Sequence, residues 1–341
     1  MKMNMKIKKG GYLLLLLTTA LLLGCKKDES SDDVSVSDTS TESSEHIQES
    51  MFGSDLTITS FEVVESTFSD GSTGDFYQIT MLSDGINVDD QIYCPSTSSE
   101  YGGLAIYDGS GEPILYPIGE ELFDSMETHG YDIVSEDGDV YVFPPSRNSE
   151  NPDDASVCAD LSSKYDLSLT VLIPVNPTNA NTPYTIGETE MMGLTLDGIH
   201  IVSDPPSVVN GISGMPQESV VVPALDRCGG HADAAGYYHL HFVPEVINQV
   251  LENNDITEVS CTLFDQVAEG ESKLIGFAKD GFPIYAYETM PEGLDECNGI
   301  TAVTAEYPEG IYHYVASTTD YLNIPPCLKG KFSRDWITLH D

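Results

Sequence analysis

Four histidines have the residue type and spacing that could bind a metal ion in this 341-residue chain. His239 and His241 lie in the run Tyr-Tyr-His-Leu-His, and on a β-strand they would project from the same face. His231 lies eight residues before His239 and directly after a flexible Gly-Gly pair, so it could fold back towards them, and His313 lies in a second aromatic-histidine run. Imidazole nitrogens suit zinc or copper better than calcium. The sequence therefore predicts a zinc or copper site formed by these four residues.

The histidines belong to an imperfect internal duplication. Residues 225–230 read Leu-Asp-Arg-Cys-Gly-Gly and precede the first histidine pair, and residues 294–299 read Leu-Asp-Glu-Cys-Asn-Gly and precede His313. Two copies are too few for a solenoid, so they predict half-sites that face each other across one core. Asp226 and Asp295 could lie behind the ligands and fix the histidine tautomers, or they could cap their own turns.

Other interpretations of the same residues stay open. Histidines and tyrosines can also form a buried hydrogen-bonded network that only holds the fold together. A metal ion could activate water in a hydrolase of an extracellular substrate, and a tyrosine-rich surface could serve a non-catalytic adhesion or scaffold module. The chain has no GxSxG, HExxH, P-loop or Rossmann motif. Catalytic residues are thus unassigned, and binding is favoured over catalysis. Calcium at one of the Asp-Gly turns stays open, although no EF-hand loop is present.

The N-terminus predicts export. A lysine-rich start precedes a short apolar run, which is the pattern of a signal peptide over residues 1–24. The end of this run, Leu-Leu-Gly-Cys, resembles a bacterial lipobox. That resemblance implies lipid on Cys25 and anchoring at the bacterial outer membrane. The following Lys27-Asp28-Glu29 resembles a signal that sends lipoproteins to the cell surface, which implies surface exposure. Residues 25–50 are acidic and Ser-rich, so they are expected to form a disordered tether.

The charge excludes one class of partner. The chain has 56 Asp and Glu against 14 Lys and Arg, a formal net charge of −42. Such a surface repels phosphate backbones, so no nucleic-acid partner is predicted. It also repels anionic lipid headgroups, which leaves the lipid on Cys25 as the predicted link to the membrane. An extracellular ligand or protein partner is expected but not identified.

The cysteines predict an oxidising compartment. Without Cys25 six cysteines are left, an even number in a chain predicted to be exported. Fifteen pairings are possible. The pairing that we favour joins Cys94 to Cys158, Cys228 to Cys261, and Cys297 to Cys327. A thiolate metal site is the weaker alternative, because no CxxC pair is present.

The folded part is predicted to be mainly β, with a few short helices, in a single large disulfide-linked domain containing the duplication. Alternating apolar residues predict strands at 56–64, 76–81, 140–143, 167–175 and 219–222, and a hairpin at 274–287. Helices are expected at 120–128 and 244–251. Residues 51–164 form a β-rich N-terminal region, 165–330 the duplicated domain and 331–341 a C-terminal tail.

The order of six short motifs resembles the YHYH domain family of exported bacterial proteins. These motifs are CGGH, YYHLH, IGFAKDGFPIYAY, LDECNG, YHY and PPCLKG. The resemblance covers about residues 165–330 and departs from the pattern twice, with Leu240 in place of a tyrosine and Val315 in place of a histidine. It implies a domain boundary and candidate residues, but no particular activity.

Overall fold

The computed structural model describes residues 46–83, 93–107, 114–129, 131–142, 158, 167–187, 190–203, 224–232, 237–320 and 322–340. Residues 44–341 form one compact unit. The predicted signal peptide, Cys25, most of the predicted tether and the predicted strand at 219–222 lie outside the described residues. No helix within the described ranges is long and apolar enough to cross a membrane.

The predicted fold class, mainly β with a few short helices, is confirmed. In chain order the elements are β1 Thr57–Thr67, β2 Thr73–Ser83, β3 Leu104–Tyr107, β4 Ile114–Pro117, α1 Glu120–Thr128, β5 Leu167–Pro174, β6 Asn179–Thr185, β7 Met191–Thr195, β8 His200–Val202, β9 Gly230–Ala232, β10 Tyr238–Leu240, α2 Ile247–Asn253, β11 Ser272–Ala278, β12 Pro283–Tyr287, β13 Gly299–Ala302, β14 Ile311–Val315, β15 Cys327–Gly330 and β16 Ile337–His340. Two 3₁₀ turns, Glu49–Met51 and Pro244–Val246, complete them.

Two sheets dominate the structure. The first has the order β1-β2-β5-β16, and the second has eight strands in the order β13-β14-β12-β11-β7-β8-β10-β9. Leu194 and Phe277 of the large sheet pack with Ile79 and Val171 of the first sheet in one buried cluster. The other face of the large sheet is covered by α2 and the 3₁₀ turn before it. Strands β7 and β12 of the large sheet are therefore buried on both faces and are correspondingly apolar.

The eight-stranded sheet is the internal duplication. The four strands β7–β10 and the four strands β11–β14 have the same order from the centre outwards, and β7 pairs with β11 at the centre. Each half begins with a hairpin whose turn is Asp-Gly, with Gly198 at φ 76° and Gly281 at φ 89°. Only glycine adopts this left-handed conformation without strain. The duplication thus extends further than the two histidine runs that revealed it in the sequence.

The second part of each half repeats a Leu-Asp-x-Cys-x-Gly turn with the same hydrogen bonds. Asp226 N donates to Gly230 O, and Asp295 N donates to Gly299 O. The residue before each glycine has a positive φ, 81° at Gly229 and 55° at Asn298. Asparagine is one of the few other residues that tolerate this conformation. The two turns are therefore equivalent in backbone geometry as well as in sequence.

The three favoured disulfides are confirmed as Cys94–Cys158, Cys228–Cys261 and Cys297–Cys327. The last two begin at equivalent positions of the duplicated turns. The Cys228–Cys261 bridge closes a loop that contains β9, β10 and α2, and Cys228 and Cys261 both pack in the apolar cluster under α2. Local propensity also predicted α1 at its observed bounds.

The expected ends of the folded region need correction. Ile47, assigned to the tether, is fully buried, and the imidazole of the preceding His46 bonds Gly281 O at 2.7 Å. At the other end, Ile337–His340 forms β16 rather than a tail and pairs with β5. The predicted boundaries at residues 164 and 330 do not separate sheets, because β1, β2, β5 and β16 share one.

Candidate functional site

Three of the four predicted ligands converge on one point. The Nε2 atoms of His231 and His239 are 3.1 Å apart, those of His239 and His241 are 3.1 Å apart, and those of His241 and His231 are 3.2 Å apart. The three ring planes are nearly perpendicular, with angles of 72–78° between them. The nitrogens thus form an almost equilateral triangle with the rings radiating outwards.

Two strands and one turn place these rings. His231 on β9 pairs directly with His239 on β10, and directly opposed residues share a face of the sheet. His241 follows two residues after His239 and returns to that face, held by its backbone N–H on Gly229 O. Gly230 lies under Tyr238, where a Cβ would come within 2.3 Å of the tyrosine oxygen. The close approach of β9 to Tyr238 and to the His239 carbonyl of β10 therefore requires glycine at this position.

Backbone carbonyls fix the orientation of all three rings. Nδ1 of His231 donates to Ala224 O at 3.2 Å, Nδ1 of His239 to Tyr237 O at 3.2 Å and Nδ1 of His241 to Ser203 O at 2.6 Å. A carbonyl oxygen only accepts, so each Nδ1 carries the proton. The tautomer is then set, and each Nε2 presents its lone pair. The three lone pairs face the centre of the triangle.

Burial keeps the imidazoles of His231 and His241 neutral. Desolvation, followed by the neighbouring imidazoles, lowers the pKa of His231 well below its ordinary value. The same causes, desolvation and His239, lower the pKa of His241 to about 3. His239 is only half-buried, so the group is reachable from solvent on that side. The three histidines could together hold a metal ion.

The fourth predicted ligand, His313, is not part of this group. It lies at the position of β14 that corresponds to His239 of β10, and five inter-strand steps of the large sheet separate those strands, or roughly 24 Å at about 4.8 Å per step. Its Nε2 bonds the Tyr287 hydroxyl at 2.8 Å, and its Nδ1 bonds Ile311 O at 3.2 Å. In this copy Ile300 faces His313, where the first copy has a histidine pair. The halves lie side by side in one sheet, so their equivalent residues do not meet.

The two aspartates cap their turns instead of supporting the ligands. Asp226 Oδ1 accepts from the N–H groups of Cys228 and Gly230, and its Oδ2 accepts from the Tyr238 hydroxyl at 2.6 Å. Asp295 repeats this pattern with Cys297, Gly299 and Tyr312. The groups that accept hydrogen bonds from the ligand rings are backbone carbonyls. A carbonyl partner leaves no side-chain signature, so the sequence could not identify it.

A further histidine next to the site was missed. His200 on β8 pairs with His239 and is fully buried, and its ring lies 4.9 Å from Tyr237 and 5.9 Å from Trp336. Among the described residues, neither of its ring nitrogens has a hydrogen-bond partner. Desolvation, followed by the charge of His239, lowers its pKa to about 3. Pro283 takes the equivalent place in the second half, which shows that the strand itself does not require histidine.

The comparisons with known proteins agree with the motifs. The sequence profile of a protein family described as YHYH protein matches residues 170–293 and 287–330. Searches among curated proteins and among solved structures returned no match. The match covers the duplicated sheet, the three clustered histidines and two of the three disulfides. The chain therefore contains a domain of the YHYH family at residues 170–330.

Proposed function

We propose that this protein is an extracytoplasmic metal-binding protein that holds one zinc or copper ion through His231, His239 and His241. The observation that carries the proposal is the triangle of three Nε2 atoms whose Nδ1 protons are all donated to carbonyls. With the Nδ1 protons placed in this way, the three Nε2 atoms face one another with their lone pairs. A cation at the centre would satisfy all three lone pairs at once.

The size of the triangle supports a small first-row ion. Two nitrogens bound to one tetrahedral Zn²⁺ at about 2.0–2.1 Å lie roughly 3.3–3.4 Å apart. The observed Nε2 separations of 3.1 to 3.2 Å are close to this value. Neutral nitrogen ligands favour zinc or copper, whereas calcium and magnesium prefer oxygen. The ligand chemistry and the geometry therefore support the same ions.

Metal-dependent hydrolysis is the second candidate, and it rests on the number of ligands. Three protein ligands leave a coordination position for water, as catalytic zinc sites do, and the half-buried edge of His239 gives access to it. Turnover of extracellular ester, amide or glycoside substrates that stops on chelation would support this activity. Turnover that chelation does not change would contradict it.

The decisive experiment compares two single variants, one at a proposed ligand and one at its counterpart in the other half of the sheet. His239→Ala removes one corner of the triangle, and His313→Ala removes the equivalent residue of β14. We expect His239→Ala to weaken zinc binding in calorimetry by more than the roughly 10–100-fold that loss of an outer partner costs. His313→Ala should retain the wild-type affinity. Equal affinity in all three folded proteins would contradict the proposed site.

The location of the protein is part of the proposal. The lipobox-like sequence before Cys25 supports export and lipid attachment, and the three disulfides fit an oxidising compartment. We expect labelled fatty acid to be incorporated into the wild-type protein in a bacterial host. Cys25→Ala should abolish the labelling, and labelling that persists would exclude this residue as the anchor.

A further inference from the structure

A cavity apart from the histidine triangle lies between the β1–β2 turn, β6, the start of β7 and the segment that leads into β16. It has a volume of about 690 Å³, and its walls include three aromatic rings, those of Tyr184, Phe332 and Trp336. Sites for small molecules usually have volumes of roughly 300–1,000 Å³ and combine apolar walls with a few polar groups. None of the predicted metal ligands lines this cavity, so it is separate from the proposed metal site.

A buried ion pair forms part of this cavity. Lys279, whose side chain is 2% exposed, pairs with Glu190 Oε1. Its Nζ also lies 4.5 Å from the ring centroid of Phe332 and 5.5 Å from that of Tyr184. The second oxygen of Glu190 accepts from the Tyr184 hydroxyl and from Gly187 N. Among the described residues, Glu190 is the one hydrogen-bond acceptor for the ammonium, which can donate to three.

The fold does not require this lysine. Lys279 and Leu196 occupy equivalent positions in the two duplicated hairpins, since Lys279 N donates to Met192 O and Leu196 N donates to Ile275 O. An apolar side chain therefore serves the same backbone position in the other half. Burying an ammonium costs desolvation free energy even when the group is paired. A ligand that accepts its remaining hydrogen bonds would offset this cost and would explain why a lysine is present here.

The cavity also contains an uncompensated cation. Arg334 is exposed, and among the described residues it makes no side-chain hydrogen bond or ion pair. Only 14 of 341 residues are Lys or Arg, against 56 Asp and Glu, so a cation without a carboxylate partner is unexpected here. A guanidinium offers a planar fork of donors that matches a carboxylate. This feature favours a ligand with a negatively charged group.

We infer that this cavity binds a short acidic sugar of one or two uronate units. The carboxylate would pair with Arg334, the C–H face of the sugar ring would pack on the aromatic walls, and hydroxyl groups would donate to Glu190 and accept from Lys279. Asp70, which pairs with Lys331, lines the cavity together with Glu190. A flat aromatic acid would fill the apolar walls but would offer no hydroxyl donors to these two carboxylates. The inference does not depend on the metal site.

The net charge of the protein limits the length of the ligand. A charge of −42 repels a long polyanion, whereas a single carboxylate pairs with Arg334 at short range. At physiological ionic strength, interactions beyond about 8 Å are largely screened. A mono- or disaccharide is therefore a better ligand than a long acidic chain, and its affinity should fall as salt is raised.

The single tryptophan of the chain gives a direct readout. Trp336 lines the cavity and is the sole Trp in the sequence, so its fluorescence reports binding at this place. We would titrate metal-free full-length protein, kept in chelator, with digalacturonate, with neutral digalactose and with benzoate, and follow each titration by calorimetry as well. Saturable binding of digalacturonate, at least about tenfold tighter than digalactose or benzoate, is the expected result.

Two variants separate the cavity from general charge effects. Arg334→Gln is exposed and should fold normally, and we expect it to weaken digalacturonate binding about tenfold. Lys273→Gln removes an equal charge at a residue outside the cavity lining and should leave the affinity unchanged. Failure of digalacturonate to bind, binding no tighter than digalactose or benzoate, or equal affinity in wild type and Arg334→Gln would each overturn the inference.

Discussion

At the scale of single residues, backbone carbonyl oxygens that accept from Nδ1 determine the tautomer of the three clustered histidines. The carbonyls of Ala224 and Ser203 hold Nδ1 of His231 and His241, and burial lowers the pKa of both rings. These two rings are thus already in the state that binds a cation: neutral, with Nε2 deprotonated. A metal ion does not have to displace protons from these two ligands near neutral pH.

His200 gives a pH-dependent prediction. Its folded pKa of about 3 is below the ordinary value of 6.5, so between these values the unfolded chain binds more protons than the folded one. Its contribution to the free energy of unfolding is therefore complete above pH 6.5 and is lost as the pH falls from 6.5 towards 3. His200→Phe should be at least as stable as wild type at pH 7.5. Its advantage should grow by up to about 1.4 kcal/mol per pH unit below 6.5.

Chemical denaturation of both proteins in chelator, from pH 7.5 to 4.5, measures this difference. Asp226 and Asp280, whose pKa values burial raises to about 6, and Glu245, whose pKa burial raises to about 7, have the opposite pH dependence. They are common to both proteins and cancel in the comparison. A stability difference that does not change with pH would mean that folded His200 gains a proton as easily as the unfolded chain does.

The sequence was sufficient to find the three ligands but not their supports. Alternation on one strand put His239 and His241 on a common face, and the Gly-Gly pair allowed His231 to fold back. His200 was assigned no partner, because its neighbour β10 lies parallel to β8 and joins it from 38 residues further along the chain. Lys279 and Glu190 lie 89 residues apart and were missed for the same reason.

At the scale of the elements, one β-hairpin and one capped turn occur twice with different side chains. The second half keeps the turn and the tyrosine on its aspartate, but it has Ile300 and Val315 where the first half has His231 and His241. The signal for the full duplication was present in the sequence, since Gly193-x-x-x-Asp197-Gly198 matches Gly276-x-x-x-Asp280-Gly281. The side-by-side arrangement of the halves could not be read from it, and so His313 was wrongly grouped with the other three histidines as a ligand.

This duplication predicts that a second site can be built. Ile300→His and Val315→His would restore the missing corners beside His313, and Tyr287→Phe would free His313 Nε2 from its hydroxyl partner. We expect the triple variant to bind two equivalents of zinc in place of one, as measured by equilibrium dialysis with elemental analysis. Ile300→His alone should bind one equivalent. A folded triple variant with one equivalent would mean that the two halves differ in more than these side chains.

At the scale of the whole molecule, the disulfides stabilise different parts of the fold. Cys228–Cys261 closes a 33-residue separation that contains all three ligands, whereas Cys94–Cys158 closes 64 residues remote from them in sequence. In the chain-entropy model each bridge of this size contributes on the order of 3–4 kcal/mol. The sequence left fifteen pairings open, and the structure confirms the favoured one, in which cysteines that are neighbours in chain order are joined.

These bridges should differ in their effect on metal binding. Cys228→Ala with Cys261→Ala loosens the loop that presents the ligands, so we expect a lower melting temperature and zinc affinity reduced on the order of tenfold. Cys94→Ala with Cys158→Ala should lower the melting temperature and leave the affinity unchanged. Calorimetric titration below both melting transitions checks this. An equal loss of affinity in both variants would show that the site depends on overall stability alone.

X-ray absorption at the metal edge of the zinc- or copper-loaded protein tests the central claim most directly. The account predicts one bound ion with three imidazole nitrogens at about 2.0–2.1 Å and a light atom from solvent in the remaining position. His241→Ala should reduce the imidazole count to two. An ion coordinated mainly by carboxylate oxygens, or a protein that retains no metal after dialysis, would contradict it.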